Sequence, residues 1–321
     1  MERKVGLFLM SEQNSHQVAN ARAAQARAQA LNLDLQVFFA DSVAAQQSQD
    51  VIRFLYGHPD RQLCVVIMPL SDMDPAQAAA EDHPVQKLAR RVVSRNAGWI
   101  ILNRDAESLL ATLRQEFPQV PIGLVTPDQR EIGRLQGRQF RHLLPHGGRI
   151  LYVLGNPFVS SSRDRRVGMH EALQGGAGFI VDEVDAYWSK DRATESVLKW
   201  LAGVSGRGAW PGLVGCQNDE MARGAAEALA EAARRYDAPV LATVPVTGID
   251  GLPGQGQKWV ADRALAATII LPTTADVAID AITRAWAGAA VPLKTVVPVT
   301  PFPADSVGPG TRVATRGQRE V

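Results

Sequence analysis

The sequence predicts an α/β protein made of two doubly wound parallel-sheet halves. Three observations lead there. Short apolar runs of strand length alternate with amphipathic helical stretches along almost all of the 321 residues. Strands separated by such helices form parallel sheets, and right-handed crossovers put the helices on both faces. The chain is also longer than one hydrophobic core usually serves, so two domains are expected. Finally, several strand runs end in polar clusters, where open α/β sheets carry their ligands.

The elements follow in order. Residues 5–10, Val-Gly-Leu-Phe-Leu-Met, are a continuous apolar run and read as a first strand buried on both faces. An alanine-rich helix over 17–31 follows, then a strand over 34–39, a helix over 43–56, and an apolar strand over 63–68. Helices over 85–97 and 108–116 flank a strand over 99–102, and a strand over 122–125 closes the first set. The second set opens with a helix over 132–143. Strands over 149–154, 178–184, 212–216 and 240–246 then alternate with helices over 162–173, 192–201, 220–236 and 256–262. A helix over 275–286 and a strand over 294–299 precede a Pro/Gly-rich tail from residue 300. No low-complexity tract and no solenoid repeat is present.

Composition narrows the function. Hydrophobic residues make up 46% and charged residues 21%, the balance of a globular protein, and the formal net charge is +1. That charge gives no reason to expect nucleic acid or an anionic membrane as partner. Cys64 and Cys216 lie in apolar strand runs and read as buried free thiols. The run 5–10 is shorter than the roughly 7–15 apolar residues of a signal peptide, and Ser11-Glu12-Gln13-Asn14 follow it instead of a small-residue cleavage site. The chain as written is therefore expected in the cytoplasm, or in the periplasm if a leader has been removed. No apolar run approaches the roughly 20 residues of a membrane span, so no membrane insertion is expected.

The most informative stretch is Leu213-Val214-Gly215-Cys216-Gln217-Asn218-Asp219-Glu220-Met221-Ala222. An apolar strand ends in polar residues and an alanine-rich helix starts at once. Asn218 and Asp219 thus sit at the carboxyl end of a strand, able to cap the helix, to accept from ligand hydroxyls, or to do both. A second stretch, Val246-Thr247-Gly248-Ile249-Asp250-Gly251, is followed by Leu265-Ala266-Ala267-Thr268-Ile269. Together these resemble the sugar-binding members of the type I periplasmic-binding-protein superfamily, the ribose- and galactose-binding kind, and the resemblance covers nearly the whole chain. It implies two lobes joined by a three-strand hinge. One lobe would hold 1–126 plus 272–298 and the other 127–271 plus 299–321.

The same resemblance implies a ligand set. Asn14, His16, Asn103 and Arg104 would reach from the first lobe, and Arg163, Trp188, Asn218 and Asp250 from the second. Planar amides, carboxylates and guanidinium groups make paired hydrogen bonds to neighbouring hydroxyls, and an aromatic face packs on the C–H side of a sugar ring. The sequence departs from the family at three places. His16 and Gln17 stand where aromatics are common, Asn103-Arg104 replaces an Asp-Arg pair, and Thr268-Ile269-Ile270-Leu271-Pro272 is one residue short and lacks the glutamine or similar polar group often found there. Arg165 and Arg166 are expected on a solvated ion-pair face. The other five tryptophans read as packing residues.

Catalysis finds little support. His142 and His146 are separated by Pro145, which breaks the helix that would align them on a metal. Ser160-Ser161-Ser162 lacks a nucleophile-elbow context, and the glycines of 251–258 lack phosphate-loop spacing. The expectation is a non-catalytic receptor, without cofactor or metal. It would bind a sugar or sugar-like polyol between its lobes and close by hinge motion. Its partner would be a transporter permease or a cytoplasmic signalling protein. The alternative is an effector-sensing subunit of a transcriptional or kinase system without its own DNA-binding domain, since lac-repressor-like regulators use the same fold.

Overall fold

The computed structural model describes residues 2–70, 83–176 and 178–308. The first half of the chain forms β1 (Arg3–Leu9), α1 (Ser15–Ala30), β2 (Asp34–Phe39), α2 (Ala44–Gly57), β3 (Gln62–Ile67), α3 (Pro84–Val93), β4 (Gly98–Leu102), α4 (Glu107–Glu116) and β5 (Ile122–Pro127). Then come α5 (Gln129–Leu143), β6 (Gly148–Leu154), α6 (Ser160–Leu173), β7 (Phe179–Asp185), α7 (Lys190–Ser205), β8 (Leu213–Cys216), α8 (Asp219–Arg235) and β9 (Val246–Thr247). The last elements are β10 (Thr268–Ile270), α9 (Ala275–Trp286), β11 (Lys294–Val297) and β12 (Thr300–Phe302). Contacts divide the chain into two compact units, Met1–Pro127 with Pro272–Val297 and Asp128–Leu271 with Pro298–Val321. The chain therefore passes from one unit to the other three times.

The first unit is built on a six-stranded sheet in the order β11-β5-β4-β3-β1-β2, with every neighbouring pair parallel. Its inner strands β1, β3, β4 and β5 are buried almost throughout because both their faces are covered, whereas the edge strands β2 and β11 keep exposed polar positions. Phe8, Val65, Ile67, Trp99 and Ile101 enter one core with Phe54 of α2 and Leu110 of α4. Their alternate neighbours Leu7, Leu9, Cys64, Val66, Ile100 and Leu102 enter a second core with Ala24 of α1 and Ile279 of α9. This is the two-residue period of a strand read on both faces.

The second unit carries a four-stranded parallel sheet, β7-β6-β8-β9, extended by parallel bridges Thr247–Ala267 and Asp250–Ile270. β10 pairs antiparallel with β12. Leu151, Val153, Val214 and Cys216 face a core shared with α7 and α8, while Ile150, Tyr152, Leu154 and Leu213 face one shared with α5 and α6. The pair α5 and α6 packs backbone to backbone. A Cβ at Gly133 would lie 2.0 Å from the Arg165 carbonyl oxygen, and one at Gly168 would lie 1.9 Å from that of Arg130.

The expected α/β architecture is therefore present, with local corrections near prolines. The strand expected over 240–246 is a 3-10 helix, Pro239–Thr243, followed by the two-residue β9. Pro239 opens that helix, where its missing N–H is not needed. Pro245 cannot donate to a ladder, and the sheet begins at its carbonyl, which accepts from the Val214 N–H at 2.9 Å. The strand expected over 294–299 stops at Val297, before Pro298, and a separate strand, β12, follows. The short helix expected over 256–262 is a π-type turn, Pro253–Gln257, running into Lys258–Ala261. Cys64 and Cys216 are both free and buried, as expected, and burial pushes both thiols well above the usual range. Among the described residues no helix is long and apolar enough to cross a membrane. The tail beyond residue 308 lies outside the described residues.

Candidate functional site

In the first unit the polar groups gather where β1 and β4 end. Asn14 is the N-cap of α1, its Oδ1 accepting from the Gln17 N–H at 3.1 Å. His16 is 7% exposed, and its Nδ1 lies 3.4 Å from the amide nitrogen of Asn20, whose Oδ1 accepts from Thr274 and Ala275 at the start of α9. Gln17 turns inward. Its Oε1 accepts from Met10 N–H at 3.3 Å and its Nε2 reaches the Met68 sulfur, tying the ends of β1 and β3. Asn103 has a positive φ of 53°, and its Oδ1 is buried with no hydrogen-bond partner among the described residues. Arg104 is 4% exposed. Its Nη1 donates to the Asn103 carbonyl at 2.9 Å and its Nη2 lies 3.4 Å from Met10 Sδ. The structure thus brings Arg104 to the loop after β1, although β3 lies between the two strands.

In the second unit the groups gather where β6 and β8 end. Asn218 caps α8 by accepting from Met221 N–H at 2.8 Å, and its amide donates to the Trp188 carbonyl at 3.4 Å. Gln217 is fully buried and satisfied. It accepts from Gly155 N–H and Ser162 Oγ and donates to the Ser162 carbonyl and Tyr152 Oη. This one amide holds the ends of β6 and β8 and the start of α6 in register.

The three arginines at the start of α6 take different roles. Arg163 is half-buried and donates to the Phe158 carbonyl at 3.3 Å. Arg166 forms the expected exposed ion pair, with Glu183. Arg165, expected on the solvated face with it, is buried instead. Its guanidinium donates to Gln129 Oε1 at 2.9 Å and to the Gln217 carbonyl at 2.6 Å. Its guanidinium carbon stands 5.5 Å from the Trp188 ring centre, and its charge opposes the burial that raises Asp250. The signal for this was helical phase. Arg165 is three and four residues from Ser162, Ser161, Gly168 and Met169, all buried, whereas Arg163 and Arg166 fall off that face.

Two buried carboxylates complete this group. Asp219, 2% exposed, faces inward. It accepts from Gly251 N–H and Thr268 Oγ1, both at 2.7 Å. Gly248 and Gly256 close over it, since a Cβ on either would stand 2.1 and 1.9 Å from its oxygens. Burial, then the Asp250 charge, hold its carboxyl well above the usual range, against the hydrogen bonds from Thr268 and Gly251. Asp219 therefore shapes the loop that presents Asp250. Asp250 is 9% exposed with φ 118°, and burial pushes its carboxyl up to about 7. Replacing Asp219 by alanine would orphan two buried donors at roughly 1–3 kcal/mol each. A clear fall in the urea midpoint is expected for Asp219→Ala and a smaller one for Asp219→Asn. An unchanged midpoint for Asp219→Ala would show that the loop does not depend on this carboxylate.

The remaining candidates separate plainly. Trp188 is half-buried against the α7–α8 core, with Tyr187 beside it 39% exposed. Phe158, not singled out in the sequence, is 63% exposed in the loop after β6. His83 caps α3 by accepting from Val85 N–H at 3.3 Å. Among the described residues no group of three or more His, Cys, Asp and Glu side chains could hold a metal ion.

Comparison with known proteins places this arrangement. The sequence model of the periplasmic binding protein domain matches residues 5–289. A "Putative rhizopine-binding protein" of Rhizobium meliloti is 27% identical over 219 residues, a match spanning 67% of this chain and 63% of that protein. Among solved structures, an ABC transporter solute binding protein from Mycobacterium smegmatis with bound glycerol is similar, with a TM-score of 0.76 and 24% identity over 98% of this chain and 100% of that one. An ABC transporter periplasmic solute binding protein from Actinobacillus succinogenes with bound D-allose has a TM-score of 0.78 and 17% identity over 95% and 99% of the two chains. Two parallel-sheet units, three crossings of the chain and a family match over most of its length agree: the chain belongs to the periplasmic binding protein domain family, within the type I superfamily that its motifs resemble.

Proposed function

We propose that this protein is a non-catalytic receptor that closes its two units on one hydroxyl-rich ring, a sugar or a cyclic polyol. The observation that carries this reading lies in the second unit. There an aromatic ring, a buried guanidinium and a carboxylate with a raised pKa converge at the carboxyl ends of β6 and β8. Such a group offers a C–H stacking face and paired donors and acceptors. In this reading Trp188 stacks on the ring, Asp250 accepts from its hydroxyls, and Asn218 and Arg163 complete the second unit's contacts. Asn14, His16, Asn103 and Arg104 meet the ligand from the first unit, and Asn103 Oδ1 gains a hydroxyl donor there. A buried polar atom left without its partner costs roughly 1–3 kcal/mol, so a ligand lacking the matching hydroxyls is rejected.

Closure by hinge motion follows if both units contact the ligand, because the closed form then gains contacts that the open form lacks. Family membership favours delivery to a transporter permease from the periplasmic side over reporting to a cytoplasmic regulator. Titration calorimetry against D-allose, D-ribose, L-arabinose, D-fructose, myo-inositol and glycerol tests the ligand class. Saturable heat with at least one ring polyol is expected. No heat from any of them would remove the carbohydrate reading.

A further inference from the structure

Trp188 is held in a costly backbone conformation. It and Tyr187 both lie in the left-handed region, at φ 67° and 53°. That region costs a residue with a side chain about 1–2 kcal/mol, so two in succession persist only where their surroundings hold them. The Asn218 amide holds the Trp188 carbonyl, and Ser189 Oγ accepts from Arg192 N–H to start α7 directly behind it.

The indole itself rests on Gly155. A Cβ on Gly155 would lie 2.3, 2.3 and 2.4 Å from Cη2, Cζ2 and Cε2 of Trp188. Near-equal distances to three consecutive atoms of a six-membered ring place that point over the ring, not beside its edge. Carbon atoms in ordinary contact are about 3.5–4.0 Å apart, so an alanine would drive the indole away by at least about 1 Å. Gly155 has no room to retreat, because its N–H donates to Gln217 Oε1 at 2.9 Å and Gln217 is fully buried.

We infer that Gly155 is a specificity-determining residue of the ligand site: by lacking a side chain it sets how deeply the Trp188 ring is seated, and so how thick a ligand ring the site accepts. The inference rests on the proposal that Trp188 stacks on the ligand. Gly155 itself acts through Trp188 and need not touch the guest.

The test compares wild type, Gly155→Ala, Trp188→Ala and the double variant. Calorimetry with D-allose and myo-inositol reads affinity, and the Trp188 indole N–H resonance, assigned with Trp188→Phe, reads ring position in ligand-free protein. Gly155→Ala is expected to move the Trp188 resonance and to weaken the better-binding probe about 10- to 100-fold, the scale of a 1 Å misplacement. In the Trp188→Ala background the same substitution has no ring to displace. Affinity there should change less than about twofold and the melting temperature should not fall further. An unmoved resonance overturns the inference whichever sugar binds, and so does an equal affinity loss in both backgrounds. If Trp188→Ala binds as wild type does, the stacking proposal fails and the inference with it. If Trp188→Ala loses affinity and Gly155→Ala does not, the inference alone fails. Should Gly155→Ala not fold, recovery of folding in the double variant supports the clash, and failure of both overturns it.

Discussion

Asp250→Asn is expected to raise the melting temperature at pH 8 while weakening ligand binding about 10- to 100-fold. The sign follows from where the proton sits. Burial raises the Asp250 carboxyl from its ordinary 3.8 to about 7, with the Arg165 charge opposing and Glu220 adding to the rise. Between those values the folded protein keeps a proton that the unfolded chain has lost. Stability therefore falls as pH rises through that window, by up to about 1.4 kcal/mol per pH unit for one proton, and the burden is complete above pH 7. Asp219, raised in the same direction by burial and by the Asp250 charge, adds to the trend.

Asparagine removes that burden and keeps the shape. The wild-type protein should melt higher at pH 5.5 than at pH 8, and the variant should show a flatter profile. Ligand binding has the opposite preference. Hydroxyl groups donate more strongly to a charged acceptor, each such bond contributing about 1.5–3 kcal/mol against roughly 0.5–1.5 for a neutral one, and a carboxylate can accept two of them. Wild-type affinity should accordingly fall as pH drops below 7, by up to about tenfold per unit, and the variant's should not. Thermal scans and calorimetry from pH 5.5 to 8 check both halves. A variant that melts lower than wild type at pH 8 contradicts the stability argument. Wild-type affinity that stays level across the range removes Asp250 as the acceptor.

Gly168→Ala is expected to lower the melting temperature by about 5–10 °C. The added carbon would stand 1.9 Å from the Arg130 carbonyl oxygen and 3.0 Å from the Arg134 nitrogen. Both are backbone atoms of a helix, so no side chain can swing aside. α5 and α6 must separate, and overpacking of this kind costs about 1–3 kcal/mol or more. In a unit of this size each kcal/mol lowers the melting temperature by about 2–4 °C. The effect should reach the side chains proposed to hold the ligand, because α6 carries Arg165, which bridges Gln129 of α5 and the Gln217 carbonyl. Gly57→Ala is the control. Nothing lies within 4 Å of a Cβ there, and the substitution should be close to neutral. A Gly168→Ala protein that melts with wild type would mean that the helices slide apart freely.

Much of the fold is legible in the sequence because its causes are local. Residues 5–10 are apolar without interruption, and β1 is covered on both faces. Asn218 ends an apolar run ahead of an alanine-rich stretch, and it caps α8. Where proline interrupts the apolar pattern, at 239, 245 and 298, periodicity overestimates the strand, because the donor that a ladder needs is missing.

The sequence by itself determined the class of fold, the order of its elements and the polar character of the strand ends. Only the tertiary structure decided which of those polar groups are buried and what they hold. Asp219 faces inward to partners 32 and 49 residues away, Arg165 and not Arg166 enters the interior, and Gly155 seats a ring from another strand's end. Secondary structure follows from the period of neighbouring side chains, whereas burial, charge state and close approach are sums over segments that meet only when the chain has folded.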